Sequence, residues 1–351
     1  MQETRIKDRF YSLIIPVFNR PDEIETVIKC LLKQTYPFFE LIIVESGSTN
    51  TAENIVNQYK NKLDIHWFMY KNNGQGFTRN YGMTKAKGEY FIILDSDILL
   101  DDSYLENLNQ SLNTNYLDAF GGPDKAHSSF TNTQKAIDHV MTSVFTTGGI
   151  RGNKSHVGKF YPRSFNMGFS KEVYETTKGF RWPFFGEDIE LSKRIMTLGF
   201  KIGLVPEAYI YHKRKTSLSK HWKQMNFFGK ARINIFKAFP DTLKLTHFFP
   251  AVFTVFVFFL LFSTIFLIFT SIVSYSTLVF CSVILIAMWF FLLLYLLLIS
   301  ISALIKHKNI FIALLTIPAT FTQMVGYGFG FIQDFVKRVI LKKEYRFNNK
   351  I

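Results

Sequence analysis

The chain has 351 residues, with 41 Lys and Arg against 27 Asp and Glu, a formal net charge of +14, 39 phenylalanines and two cysteines. Two cysteines, one in a helical pattern and one in an apolar run, exclude a disulfide framework, and no Cys/His cluster has zinc spacing. The basic excess is local: residues 1–210 carry 24 basic and 24 acidic side chains, residues 211–245 nine and one, and residues 246–351 eight and two. Charge concentrated beside apolar segments points to a membrane surface and excludes a nucleic-acid partner.

In chain order, Ser12–Val17 is the first predicted strand, followed by Phe18-Asn19-Arg20 and a helical pattern of Ile24, Val27, Ile28, Leu31 and Leu32. Glu40–Val44 is the second strand and runs into the turn-rich Glu45-Ser46-Gly47-Ser48-Thr49-Asn50. A segment Gly74–Gly82 precedes a third apolar strand, Tyr90–Leu94, which ends in Asp95-Ser96-Asp97. Arg163–Phe165 reads as a strand ending at Asn166-Met167-Gly168. Phe185-Gly186-Glu187-Asp188 opens a helix, and the strand-like Ala208–Tyr211 precedes His212-Lys213-Arg214-Lys215. His221–Arg232 reads as a basic amphipathic helix suited to the headgroup plane.

Residues 246–305 contain no charged side chain. A bilayer core needs about 20 apolar residues per helix, so two crossings are expected, 248–271 and 277–305, turning at Ser274-Tyr275-Ser276. A third apolar segment, 310–332, contains Pro318, Gln323, Gly326, Gly328 and Gly330, and either spans or is re-entrant. The basic loop Lys306-His307-Lys308 and the basic tail favour a re-entrant or interfacial third segment, because both then lie inside. The expected layout is a catalytic domain over 1–212, a basic interfacial helix region over 213–246, membrane segments over 247–333 and a basic cytoplasmic tail over 334–351. The expected location is the cell membrane, multi-pass, with the catalytic domain cytoplasmic against an anionic leaflet.

Asp95 and Asp97 make a hard-oxygen site just beyond a buried strand, where open α/β sheets bind ligands. Such a site suits Mg²⁺ or Mn²⁺ with nucleotide phosphates. Asp97 is the main metal ligand in this reading, with Asp95 on the ribose, the sugar or the metal; helix capping is the alternative for Asp97. The order of Ser12–Val17, Glu45–Asn50, Gly74–Gly82, Lys87–Asp97 and Phe185–Leu191 resembles the family 2 glycosyltransferases. That resemblance implies the GT-A fold: a Rossmann-like, mostly parallel sheet with flanking helices, here followed by transmembrane helices.

It also implies an inverting enzyme that uses a nucleotide-diphosphate sugar of UDP or GDP type. Asp188, the second acid of the Glu187-Asp188 pair, then takes the proton of the acceptor hydroxyl; charge at a helix N-terminus is the alternative for both. Pro16, Phe18 and Asn19 stand where the family contacts the base. Glu45 replaces a family Asp and is expected at the base, and Arg79 at base or phosphate. His212 stands where some members complete the metal site. Arg214 is a candidate for the diphosphate or for the membrane surface. On the acceptor side stand Asn166, Trp182, Gly186 and Glu187. Trp182 could stack on a sugar or simply pack, and Gly186 would let backbone approach the sugar. A Q-x-x-R-W string is absent, so addition of one sugar to a lipid-linked or glycan acceptor is preferred. A processive polysaccharide synthase and a catalytically silent nucleotide-sugar-binding membrane subunit are the alternatives.

Overall fold

The computed structural model describes residues 7–71, 74–125, 127, 129–147, 160–213, 215–269 and 275–343. In chain order these form β1 (Tyr11–Val17), α1 (Pro21–Leu31), β2 (Phe39–Glu45), α2 (Glu53–Tyr59), β3 (Ile65–Met69), α3 (Gln75–Lys85), β4 (Tyr90–Leu94), β5 (Ile98–Leu100), α4 (Tyr104–Thr114), β6 (Ala119–Gly121), β7 (Asp124–Lys125), α5 (Asn132–Thr142) and α6 (Val144–Thr147). There follow β8 (Asn166–Ser170), α7 (Lys171–Thr177), α8 (Glu187–Thr197), β9 (Ile202–Leu204), β10 (Ile210–His212), α9 (Leu218–Ala238), α10 (Phe249–Phe269), α11 (Tyr275–His307), α12 (Ile310–Asp334) and a π-helical turn, Phe335–Ile340. They fall into two compact units. One holds 1–128 and 152–213; the other holds 129–151 and 214–348. Residues 129–151, read from sequence as part of the catalytic domain, thus cluster with the C-terminal segments.

The first unit is built on a seven-stranded sheet of order β3-β2-β1-β4-β8-β6-β9. β3, β2, β1 and β4 run parallel, and β8 runs antiparallel to both neighbours. Parallel strands covered by helices on both faces must be apolar throughout, and Leu13, Ile14, Ile15, Leu41, Ile42, Ile43, Ile92 and Ile93 are all fully buried. Alternate residues feed two cores: Leu13, Ile15, Leu41 and Ile43 pack with Ile24 and Val27 of α1, while Ile14, Ile42, Phe91 and Ile93 pack with Met83 of α3 and Leu191 of α8. A small sheet, β5-β10-β7, stands beside the main one. In it His212 pairs with Ile98, one residue after Asp97. The strand expected over 163–165 begins instead at Asn166.

The second unit is helical. α10, α11 and α12 account for most of three spans long and apolar enough to cross a membrane: Leu245–Phe269, Thr277–His307 and Ile310–Ile340. The first two agree with the predicted crossings; Ser274 of the expected turn lies outside the described residues. The third segment is one helix straight through Pro318, about 37 Å long at 1.5 Å per residue. Its glycines are packing surfaces rather than breaks. A Cβ on Gly330 would stand 2.2 Å from the Asn226 carbonyl of α9, and one on Gly328 would stand 2.3 Å from the Pro250 carbonyl of α10. Small residues at these spots let backbones approach closely. Gln323 Nε2 donates to the Val140 carbonyl of α5 at 3.1 Å. The basic tail is also partly structural, since Arg338 is 6% exposed and donates to Asn234 Oδ1 of α9 at 2.9 Å.

Candidate active site

The C-terminal ends of β1, β2 and β4 converge on one edge of the main sheet. There the chain leaves β1 at Val17, and Phe18 is 59% exposed while Asn19 turns with φ +54°. Asn19 Oδ1 accepts from the amides of Thr49 and Asn50, each at 2.9 Å, and its own amide donates to Ser48 Oγ at 2.9 Å. Asn19 therefore stitches the end of β1 to the turn after β2. Pro16 is half-buried beside it. Glu45, expected at the base, is fully buried. One oxygen accepts from the Ala52 amide at 2.7 Å and the other from Ser48 Oγ. A carboxylate so enclosed braces the 45–52 turn, and Phe18 is an exposed ring at this end.

Beyond β4, Asp95, Asp97 and His212 form a cluster whose ligand atoms lie within 4.8 Å of one another. His212 Nε2 is 3.0 Å from Asp97 Oδ1, and its Nδ1 is 3.9 Å from Asp124 Oδ2. The Lys213 amide donates to the Asp97 carbonyl at 2.8 Å, which fixes β10 beside the Asp95–Asp97 turn. Two carboxylates and an imidazole, half-open to solvent, are a donor set that could hold a divalent ion. A histidine 115 residues downstream is thus brought to the metal-ligand pair. Arg20 Nη1 reaches Asp97 Oδ2 at 3.4 Å. Arg214 lies outside the described residues.

Arg79 is fully buried, and this decides its place. Its Nη2 donates to Asp95 Oδ1 at 3.0 Å, its Nη1 donates to Glu187 Oε1 at 3.0 Å, and its guanidinium lies 5.5 Å from the Phe180 ring centroid. Arg79, expected at base or phosphate, is 0% exposed and here bridges two carboxylates. Burial, with the neighbouring charge of Asp188, raises the Glu187 carboxyl above its ordinary range, while Arg79 pulls it back.

The loop before α8 turns through Phe185 at φ +66° and Gly186 at φ +95°. Glycine takes the second of these without strain, and the turn sets Asp188 in the first helical turn. Asp188 Oδ1 accepts from the Ile189 amide at 2.8 Å; Arg163 Nη1 lies 3.7 Å from Oδ2. α8 is clamped at its other end, where Arg194 pairs with Glu190 and donates to the carbonyls of Thr177 and Gly179 at 2.7 and 2.6 Å. Trp182 is half-buried, and its carbonyl lies where a Cβ on Gly76 of α3 would fall, 2.1 Å away. Asn166 does not face an acceptor. It is fully buried, accepts from Tyr104 OH at 2.7 Å and donates to the Ala208 carbonyl at 2.8 Å.

The sequence reading missed Arg20, Asp124 and Arg163. Arg20 carried a signal, since it follows Asn19 directly at the end of β1. Asp124 opens the two-residue strand β7 and Arg163 stands just before β8, and neither residue was singled out by its own surroundings in the sequence.

A four-stranded parallel run, a reversed β8 and a carboxylate pair at the C-terminal strand edge define a domain of the GT-A class. Residues 12–177 match the model of the family described as Glycosyl transferase family 2. An uncharacterised glycosyltransferase of Rickettsia bellii is 36% identical over 106 residues, covering 30% of this chain and 15% of the relative. A poly(ribitol-phosphate) beta-glucosyltransferase of Bacillus spizizenii is 33% identical over 150 residues, 39% of this chain and 24% of the relative. The chain thus spans less than a quarter of the length of either. A mannosyltransferase from Pyrobaculum calidifontis, solved with GDP-Man and Mn²⁺, shares the fold at TM-score 0.60 and 14% identity over 93% of this chain and 88% of its own.

Proposed function

We propose that the protein is a membrane-anchored, metal-assisted, inverting glycosyltransferase. It moves one sugar from a UDP- or GDP-type donor to a lipid-linked or glycan acceptor. The observation that carries this reading is the Arg79 bridge. One buried guanidinium joins Asp95 of the carboxylate–imidazole cluster to Glu187, the neighbour of Asp188. The cluster suited to a diphosphate-bound ion and the candidate base are thereby parts of one rigid arrangement.

Asp97, Asp95 and His212 would hold Mg²⁺ or Mn²⁺, which as a Lewis acid stabilises the charge of the leaving diphosphate. Phe18 offers a ring to the base, and Pro16 and Asn19 shape the end of β1 around it. Arg214 remains a candidate for the diphosphate. The acceptor hydroxyl meets Asp188, which accepts its proton as the new bond to the anomeric carbon forms. The bond from that carbon to the diphosphate oxygen breaks on the opposite face, so the configuration inverts. Trp182, Gly186 and Glu187 line the acceptor side of this reaction. Nucleotide sugars are cytoplasmic metabolites, which fits the positive-inside bias of the basic segments beside the membrane helices.

The test uses the full chain in detergent. Nucleotide sugars are screened for metal-dependent thermal stabilisation, and the best donor is assayed for hydrolysis and for transfer to lipid-phosphate and glycan acceptors, with product size measured. Stabilisation by one donor, abolished by chelator and accompanied by transfer of a single sugar, is the expected result. Donor binding without turnover on any acceptor or water would leave a silent binding subunit, and long products would mean a processive synthase.

A further inference from the structure

The opposite end of the same sheet carries a second convergence of ligand atoms. β2 and β3 run parallel with Leu41 opposite Ile65 and Ile42 opposite His66. Glu40, Asp64 and His66 therefore meet at the N-terminal ends of these strands. Glu45, in the candidate donor region, is five residues along β2, about 16 Å away at strand rise.

His66 Nε2 lies 2.9 Å from Asp64 Oδ1 and 3.5 Å from Glu40 Oε2. All three ligand atoms fall within 4.8 Å of one another. Neither contact is a hydrogen bond: His66 Nε2 and Glu40 Oε2 are both shut off from solvent and have no hydrogen-bond partner. The Glu40 side chain is fully buried. Its other oxygen is taken, accepting from Ser12 Oγ and from the Lys87 amide, each at 2.6 Å. The fold thus grips one oxygen and aims the second at the imidazole. A buried carboxylate oxygen without a hydrogen bond carries a large desolvation cost, which a cation offsets.

We propose that Glu40, Asp64 and His66 bind a divalent transition-metal ion, at a site separate from the Asp95–Asp97–His212 cluster. Ligand bonds of about 2.0–2.2 Å put neighbouring ligand atoms about 3.0–3.5 Å apart, the spacing found around His66. One imidazole with two carboxylates is a donor set that suits ions such as Zn²⁺, Co²⁺ or Mn²⁺. Asp64 and His66 side chains are 47% and 34% exposed, so water completes the coordination and the ion enters from solvent. Through Ser12 and Lys87, Glu40 links the ion to β1 and to the α3–β4 turn. The ion is a structural brace for the β2–β3 edge.

The full-length protein, stripped by chelator in detergent, is titrated with Co²⁺ while visible absorption and melting temperature are recorded. The wild type is expected to take up two equivalents and to melt higher. His66→Gln and Asp64→Asn should each lose one equivalent, with at least about 10-fold weaker binding at that step. Both positions are partly exposed, and an unchanged metal-free melting temperature shows that the variants fold. Asp97→Asn should lose the other equivalent and keep a Co²⁺-dependent rise in melting temperature. Equal titrations for wild type and His66→Gln overturn the proposal, as does an Asp97→Asn protein that Co²⁺ does not stabilise. A protonated His66 that merely pairs with the two carboxylates would give both of those results.

Discussion

Arg79 and Glu187, 108 positions apart in the chain, meet through a 3.0 Å hydrogen bond between buried charged groups. Removing one partner of such a pair leaves an uncompensated buried charge, which costs about 3–5 kcal/mol. Arg79→Ala should therefore destabilise the fold by that amount in chemical denaturation. Adding Glu187→Gln should give a double variant less destabilised than the sum of the singles, because both changes act on one interaction. Additive losses would mean that the bridge is not an energetic unit.

Asp97→Asn replaces an anionic ligand by a neutral amide. Metal-supported nucleotide binding should fall by more than the roughly 10–100-fold that loss of an outer metal partner costs, and transfer should be undetectable. Titration calorimetry of the nucleotide with and without Mn²⁺ checks this. Wild-type transfer that survives chelation would remove the metal from the reading.

Asp188→Asn should keep donor affinity while turnover drops by about 10²-fold or more, the usual worth of a positioned base. The check is a split between kcat and donor KM. Matched losses in both would assign Asp188 to the helix N-terminus rather than to the proton.

His139 of α5 is 5% exposed, with Nε2 2.8 Å from Ser302 Oγ of α11. Burial, and then the charges of Lys306 and His307, bring its imidazole down to about 4, against the pull of Asp138. An unfolded chain takes up that proton near pH 6.5. Stability from neutral His139 is then complete above about pH 6.5 and drains away as pH falls towards 4, by up to about 3 kcal/mol. Melting the detergent-solubilised protein at pH 7.5 and 4.5 should show the loss, and His139→Gln should flatten it.

Gly330→Leu places a side chain where Cβ alone would stand 2.2 Å from the Asn226 carbonyl. The α9–α12 pair must separate, and the variant is expected to melt well below the wild type. Leu314→Ala, at an exposed position of the same helix, should change little. Similar melting of both variants would show that α9 and α12 do not depend on close approach.

Local chemistry made much of this protein legible in its sequence. Apolar runs wrote β1, β2 and β4, because a parallel strand covered on both faces has no polar alternation to hide it. The uncharged stretch from 246 to 305 announced two membrane-length helices. Asp95, Asp97 and Asp188 stood out because each follows a strand or opens a helix in an ordered string of motifs. The tertiary structure decided what solvent can reach. Arg79, Glu45 and Asn166 looked like ligand contacts, yet all three are fully buried, and no local pattern records which side of a core a polar group will face. Gly326, Gly328 and Gly330 had no assigned role in the sequence, and packing makes them surfaces for neighbouring backbones. The His212–Asp97 and Arg79–Glu187 contacts come from strand pairing and helix packing across more than a hundred residues. The family resemblance had pointed to His212 at the metal site, whereas nothing in the sequence marked the Arg79–Glu187 meeting.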